Sequence, residues 1–260
     1  AASAAKREDG FIGRWVSRLL LGAMWVGVVY AFLKMSRLLA GLTKAEARGI
    51  LVGAGTTFLR VMSTLALAGL WTIPAGVMVG LKPKLSAIVQ PIAQVAASVP
   101  ATALFPIILL MLIRVGGGLG IGSIVLLLLG TQWYILFNVI AGAMAIPTDL
   151  KEVCNVFRID KFERWRELYL PGIFPYLITG FVTASGGAWN ASIIAEYFRF
   201  KGQTYTVTGL GSVISSAADS GNSRVLIAAT ILMAAMVVTI NRLLWRRLYA
   251  LAATKFKLEG

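Results

Sequence analysis

The 260-residue sequence predicts an all-α membrane protein, with six transmembrane helices and a short charged helical loop between the fourth and the fifth. Composition is the first sign. Hydrophobic residues make up 58% of the chain, charged residues only 14%, and the mean hydropathy is +0.79, whereas soluble domains carry about 25% charged residues. The second sign is a set of charge-free windows at 19–33, 61–81, 85–113, 115–148, 168–195 and 225–241. A hydrocarbon core of roughly 30 Å takes about 20 helical residues to cross. The two shorter windows extend by snorkelling of Arg18, Lys34, Arg224 and Arg242. The third sign is an island in which Lys151, Glu152, Arg158, Asp160, Lys161, Glu163, Arg164, Arg166 and Glu167 interrupt the apolar sequence. Each such charge costs about 2.5–3.5 kcal/mol at a bilayer centre, so the island lies outside the membrane.

In chain order, residues 1–14 read as a polar, basic leader, 15–248 as the transmembrane domain with its loop at 149–170, and 249–260 as a tail. The first helix is predicted over Gly13–Ser36. The second, Thr56–Leu81, contains Pro74 and the pair Gly76-x-x-x-Gly80. That spacing either admits a closely approaching helix or is ordinary small-residue content. Lys82-Pro83-Lys84 makes a turn. The third span carries Pro91, Pro100 and Pro106 and is predicted to be kinked or broken, with its freed carbonyls satisfied by protein or water. Arg114 and the glycines 116, 117, 118 and 120 form the next turn. The fourth span covers Gly122–Ile146 and the fifth Gly172–Tyr197. After a loop containing Lys201, Gly209, Gly211 and Asp219, the sixth covers Arg224–Trp245.

The residue inventory excludes several chemistries. There is no histidine, and Cys154 is the single cysteine, so an internal disulfide, a four-thiolate metal site and histidine acid–base chemistry are out of reach. No G-x-x-x-x-G-K-[ST] occurs, so the chain is not its own P-loop ATPase. No cofactor or metal is expected. The net charge of +14 flanks the spans instead of forming one stripe, which argues against a nucleic-acid partner. Residues 1–18, 82–84, 149–170 and 242–257 hold 16 of the 25 basic residues. The positive-inside rule then places both termini and the island in the cytoplasm. The N-terminus lacks the pattern of a cleaved signal peptide, and the absence of an initiator Met is expected of a segment of a longer polypeptide.

Within the island, Leu150–Asp160 and Lys161–Tyr169 each read as a short helix. In the second, Phe162, Trp165 and Tyr169 share a face and charges occupy the rest. Such an element either seats in a partner's groove or lies on lipid with Trp165 and Tyr169 as belt residues.

The island resembles the cytoplasmic signature of permease subunits of bacterial type I ABC importers: E-A-A, three residues, G, nine residues, then I-x-L-P. Here Glu152-Val153-Cys154, Arg158 and Leu168-Tyr169-Leu170-Pro171 stand in that register, followed by Pro175 and Gly180. The run Gly187-Ala188-Trp189-Asn190-Ala191-Ser192-Ile193-Ile194-Ala195-Glu196-Tyr197 is similar to the nitrate/taurine/sulfonate branch. A looser likeness extends over 56–248, including Pro100-x-x-x-x-Phe105-Pro106 and Gly120-Ile121-Gly122.

The resemblance implies a coupling helix that docks into a cytoplasmic ABC ATPase dimer, a second permease module, and a periplasmic solute-binding protein that delivers to loops near Arg114 and Tyr197–Asp219. Glu152 would anchor the loop. The coupling residues would be Glu152, Arg158, Lys161, Phe162, Arg164, Trp165, Leu170 and Pro171. Small anions such as nitrate, sulfonates or bicarbonate would be the solutes. This sequence departs from the signature at Val153, Cys154 and Arg158. A left-handed bend costs a non-glycine residue roughly 1 kcal/mol or more, so either the bend is helical here or the coupling element is altered. One module, the divergent one, of a heterodimeric or tandem permease fits these departures.

Candidate pathway residues are Gln94, Ser98, Asn138, Ser185, Asn190 and Ser192, whose uncharged hydrogen-bonding groups either pass a solute or bond neighbouring helices together. Glu196 is a functional candidate as an ionisable group at the end of a span, or a partner of Arg199 or Lys201. The alternative to an ATP-driven importer is an ion- or proton-driven secondary carrier, which needs buried acidic or histidine relays. A membrane enzyme ranks third, for want of any nucleophile–base or metal constellation.

Overall fold

A computed structural model describes residues 2–114, 118–200 and 202–255, with side chains from Arg18 onward apart from 28, 31 and 113. The expected glycine turn at 115–117, Lys201, the side chains of the leader and the end of the tail beyond 255 lie outside the described residues.

The architecture is helical. In order it comprises α1 (Ala2–Ala40), α2 (Lys44–Gly80), α3 (Pro83–Ser98), α4 (Ala101–Arg114), α5 (Leu119–Ala145), α6 (Thr148–Val156) and α7 (Lys161–Glu163). A π turn (Arg164–Tyr169), α8 (Leu170–Glu196), strands β1 (Tyr197–Phe200) and β2 (Gln203–Thr206), α9 (Leu210–Asp219) and α10 (Ser223–Ile240) follow. A second π turn (Asn241–Trp245) and α11 (Arg246–Lys255) end the described chain. Among the described residues, five continuous helical stretches are long and apolar enough to cross a membrane, or six if the pair α3–α4, bent by 80°, is one broken span.

The expected six spans are therefore present, with boundaries that differ in instructive ways. Helix α2 starts twelve residues earlier than the charge pattern implies, because Thr43 caps it. The Thr43 hydroxyl accepts from the Glu46 N–H, and Glu46 accepts from the Thr43 N–H at 2.9 Å, which satisfies two otherwise orphaned donors. The third span breaks at Val99-Pro100, where Val99 is extended at φ −72°, ψ 119°, as the residue before a proline prefers. Pro91 and Pro106 stay inside their helices.

The second helix of the island is not separate from the fifth span. Residues 161–196 form one continuous helical stretch. The Leu170 N–H bonds to Trp165 O, five residues back, and this widened turn takes up the strain that Pro171 would place on a regular helix.

Helices α2, α5 and α8 pack as the centre of the bundle, around Leu126, Leu127, Ile135, Val139, Ile173, Ala184 and Ala188. Lipid tails are as apolar as these side chains, so close approach and not hydrophobic burial drives the packing. Gly76 and Gly80 resolve in favour of close approach. A Cβ on Gly76 would stand 2.7 Å from Val139 Cγ1, and one on Gly80 2.5 Å from Ile140 O.

The segment after α8, read from sequence as a plain loop, holds a β-hairpin and helix α9. Tyr197 pairs with Thr206 and Phe200 with Gln203, and Gly202 supplies a turn at φ +76°. Phe198 pins the hairpin edge-on against Phe105 of α4, at 4.7 Å between ring centroids.

Candidate functional site

Helix α6 ends in a left-handed C-cap. Arg158 has φ +52° and is the one non-glycine residue of positive φ among the described residues. Its N–H bonds to Asn155 O at 3.2 Å, and the Ile159 N–H bonds to Cys154 O at 3.0 Å. This is the paired 5→2 and 6→1 arrangement that closes helices whose next residue is glycine. Of the two sequence-based alternatives, the bend is not helical: the left-handed turn is kept, with an arginine in it.

Arg164 holds that turn. Its Nε donates to Ile159 O (2.8 Å), one terminal nitrogen to Asn155 Oδ1 (2.7 Å) and the other to Cys154 O (2.8 Å). A planar fork of donors suits three acceptors in a fixed arrangement. Asp160 caps the next helix by accepting from the Glu163 N–H at 2.7 Å, and Trp165 meets Tyr169 edge-on.

The expected coupling residues thus separate by role. Arg164 is turned to the loop's own backbone instead of outward. Glu152 is exposed and makes no hydrogen bond or ion pair among the described residues, so the loop's internal anchor is Arg164 and not Glu152. Trp165 is half-buried, and Leu170 and Pro171 belong to the helix leading into the span. Phe162, Lys161 and Arg158 are exposed. With Val156, Phe157 and Phe162 exposed at 77%, 75% and 73%, the braced loop presents an apolar knob.

The second feature is a stripe along α8. Tyr176, Thr179, Thr183, Gly186 and Asn190 are exposed at three- and four-residue spacing, on one face. Thr179, Thr183 and Asn190 each donate to a carbonyl four residues back, which leaves their oxygens free to accept. Tyr134 of α5 is exposed beside Gly187, and half-buried Asn138 lies beside Gly180. Hydrogen-bonding groups on the face of a span belong against water or another chain and not against lipid. Gln94 and Ser98 are exposed on α3. Ser185 and Ser192 are buried; Ser185 accepts from Trp245 Nε1 at 3.3 Å and Ser192 bonds to Trp189 O. Those two are spent on contacts within the chain. The stripe's threonines and Tyr134 are not among the residues expected from sequence, although the three- and four-residue recurrence of Thr179, Thr183 and Gly186 is written there.

The third feature is a polar lock where α8, α2 and α9 meet. Glu196 is fully buried and pairs with Arg60, which is 11% exposed, not with Arg199. It also accepts from Thr57 Oγ1 at 2.7 Å and from the Gly211 N–H at 2.8 Å. Thr57 in turn accepts from the Leu210 N–H at 2.7 Å, and Arg60 donates to Thr208 O at 3.2 Å. A carboxylate at the first amides of α9 is favoured by the helix dipole. There is no room for a side chain at Gly209, whose Cβ would overlap the Glu196 carboxylate, nor at Gly211, 2.6 Å from Ser192 O. Arg199 pairs instead with Asp219 at 2.6 Å.

Comparison with known proteins decides the family. Residues 72–253 match the family described as the binding-protein-dependent transport system inner membrane component. The chain belongs to that family. The bicarbonate transport system permease protein CmpB of Synechococcus elongatus is 28% identical over 183 residues, 70% of this chain and 63% of that protein. The nitrate import permease protein NrtB of Leptolyngbya laminosa is 27% identical, over 71% of this chain and 62% of NrtB. The taurine transport system permease protein TauC of Escherichia coli is 27% identical over 73% of this chain and 66% of TauC. The chain thus spans a little under two thirds of the length of the first two. The fold is that of a chain in the inward-facing MetNI methionine ABC transporter, with TM-score 0.66 and 20% identity, over 81% of this chain and 99% of that one.

For a permease-family chain, Arg158 in the left-handed position has a measurable consequence. Arg158→Gly is expected to stabilise the turn by about 1 kcal/mol, since glycine adopts positive φ without a Cβ penalty. Slower amide hydrogen exchange at Arg158 and Ile159, whose N–H groups close the turn, would register it; faster exchange would count against the strained-turn account.

Proposed function

We propose that this chain is the membrane permease subunit of an ATP-driven importer of a small anionic solute, with the 149–170 loop transmitting the work of a separate cytoplasmic ATPase dimer. The observation that carries the reading is the braced loop. A backbone turn held by Arg164 and a projecting apolar knob of Val156, Phe157 and Phe162 form a rigid body standing outside the apolar spans. An exposed apolar anchor on a rigid support is what a partner groove takes up.

In this reading both termini share the cytoplasm with the loop, in accord with the distribution of basic residues. The stripe from Tyr176 to Asn190, together with Tyr134, faces the solute route and a second permease module, homologous or fused. A periplasmic binding protein delivers to the opposite end, near the hairpin and α9. The relatives named for bicarbonate, nitrate and taurine support a small solute bearing an anionic group. ATP-driven closure of the ATPase dimer moves the two loops and, through the continuous 161–196 helix, the stripe itself. The alternative of an ion- or proton-driven carrier is disfavoured by Glu196, the buried acidic residue at the end of the fifth span, which is consumed by Arg60, Thr57 and Gly211.

The test is co-purification and uptake. The wild-type protein is expected to retain its ATPase and to take up radiolabelled nitrate, bicarbonate or taurine in a vanadate-sensitive manner. Phe162→Asp is expected to lose at least tenfold of the retained ATPase while the permease stays folded in detergent. Uptake that is abolished by an uncoupler and indifferent to vanadate would overturn the reading.

A further inference from the structure

The α10–α11 helix leaves a basic groove against α8 that none of the features above uses. Trp245, in the π turn, is buried, stacks on Phe181 at 6.1 Å and donates to Ser185. It fixes the rotation of the helix so that Arg242, Arg246 and Tyr249, at i, i+4 and i+7, share one side. These three, with Val182, Asn241, Trp245 and Ala250, line a groove of about 410 Å³. Toward the charged loop, Tyr249 and Ala252 meet Pro175, Tyr176 and Thr179 in a separate recess that borders the α8 stripe. Pro175 lies in the first turns of α8, so this is the end of the bundle that carries the charged loop.

Arg242 and Arg246 are exposed, and neither makes an ion pair or hydrogen bond among the described residues. Of the carboxylates flanking the packed helices, Glu196 is taken by Arg60 and Glu167 by Arg166 at 3.5 Å. Residues 170–195 and 223–255 contain no Asp or Glu, and neither does 119–145. A second copy of this chain would bring the same arginines and no counter-charge on these spans. Two cations over an apolar groove at the membrane edge call for a ligand with an anionic head and an apolar tail.

We propose that this groove binds an anionic phospholipid of the adjacent leaflet. The phosphate is held between Arg242 and Arg246, which lie one turn apart on the helix, and an acyl chain runs over Val182 toward the middle of the spans, away from Pro175. Asn241 and the Tyr249 hydroxyl are placed to complete the headgroup's hydrogen bonds. The site rests on the membrane placement of the spans and not on the import reading, so its failure would leave that reading intact.

Native mass spectrometry of the purified protein in micelles doped equally with phosphatidylglycerol and phosphatidylcholine tests this. The wild-type protein is expected to retain phosphatidylglycerol over phosphatidylcholine by about tenfold. The double variant R242Q/R246Q is expected to bring the ratio close to one. R247Q, which removes one charge from the same helix outside the groove, is expected to keep the preference. Both groove arginines are exposed, and an unchanged melting temperature of the double variant serves as its folding control. A wild-type ratio near one, or a double variant that keeps the preference, would overturn the site. Displacement of the lipid by excess inorganic phosphate would also overturn it, since the cluster would then serve free anions.

Discussion

Arg60→Leu is expected to destabilise the protein by about 3–5 kcal/mol, the cost of leaving one member of a buried ion pair without its partner. Glu196 is wholly buried, and Arg60 is nearly so. With Arg60 removed, Thr57 and the Gly211 amide still donate to the carboxylate, but its charge has no counter-ion in a low-dielectric site. The loss should appear as a large drop in melting temperature in detergent, and as accelerated exchange of the first amides of α9. The double variant Arg60→Leu/Glu196→Leu should recover a good part of the loss, because the uncompensated charge is gone. Strictly additive effects of the two single variants would show that the pair is not coupled. The recovery need not be complete, since Leu210 and Gly211 depend on Thr57 and Glu196 for their N–H partners.

The second large effect is expected at Arg164. Arg164→Leu removes three donors at once and leaves Cys154 O and Ile159 O without them. Each hydrogen bond to a charged group is worth about 1.5–3 kcal/mol, discounted here because Arg164 is only half-buried. Tenfold in rate corresponds to about 1.4 kcal/mol, so even a fraction of that loss, spent on misplacing the knob at Phe157 and Phe162, lowers coupled uptake at least tenfold. The bundle itself rests on α2, α5 and α8, so melting temperature should hardly move. Arg164→Lys keeps the charge but not the fork, and should recover only part of the uptake. A variant with full uptake would show that the loop's geometry does not depend on this clamp.

Much of this was legible in the residues themselves. Charge-free windows located all six spans, because a charge in hydrocarbon is costly wherever it falls. The island at 151–167 was readable for the same reason, and its register through Leu170-Pro171 was readable because the family's signature is written in consecutive residues. Pro100 marked the break in the third span through its restriction on Val99. Less of the site was legible. From sequence Arg164 reads as a coupling residue, because helical spacing cannot reveal that a side chain folds back onto carbonyls five to ten residues earlier. Ser185 and Ser192 carried the same chemical promise as Asn190, and only the positions of Trp245 and α9 separate buried from exposed. Sequence proximity points Glu196 to Arg199 or Lys201, whereas its partner Arg60 is 136 residues away in sequence.

What the sequence determined alone is the solvent each segment lives in: which stretches sit in lipid, which cannot, and which end of the bundle carries the basic charge. Those follow from transfer free energies summed residue by residue, and they need no knowledge of partners. The tertiary structure decided which polar groups are spent and which remain free. Glu196 and Arg164 are consumed by Arg60 and by the loop backbone, while Phe162, Asn190 and the Arg242–Arg246 pair are left facing outward. That distinction depends on which helices meet and how closely, here set by glycines at 76, 80, 209 and 211. Close approach is a property of pairs of surfaces, so it is absent from any one segment read by itself.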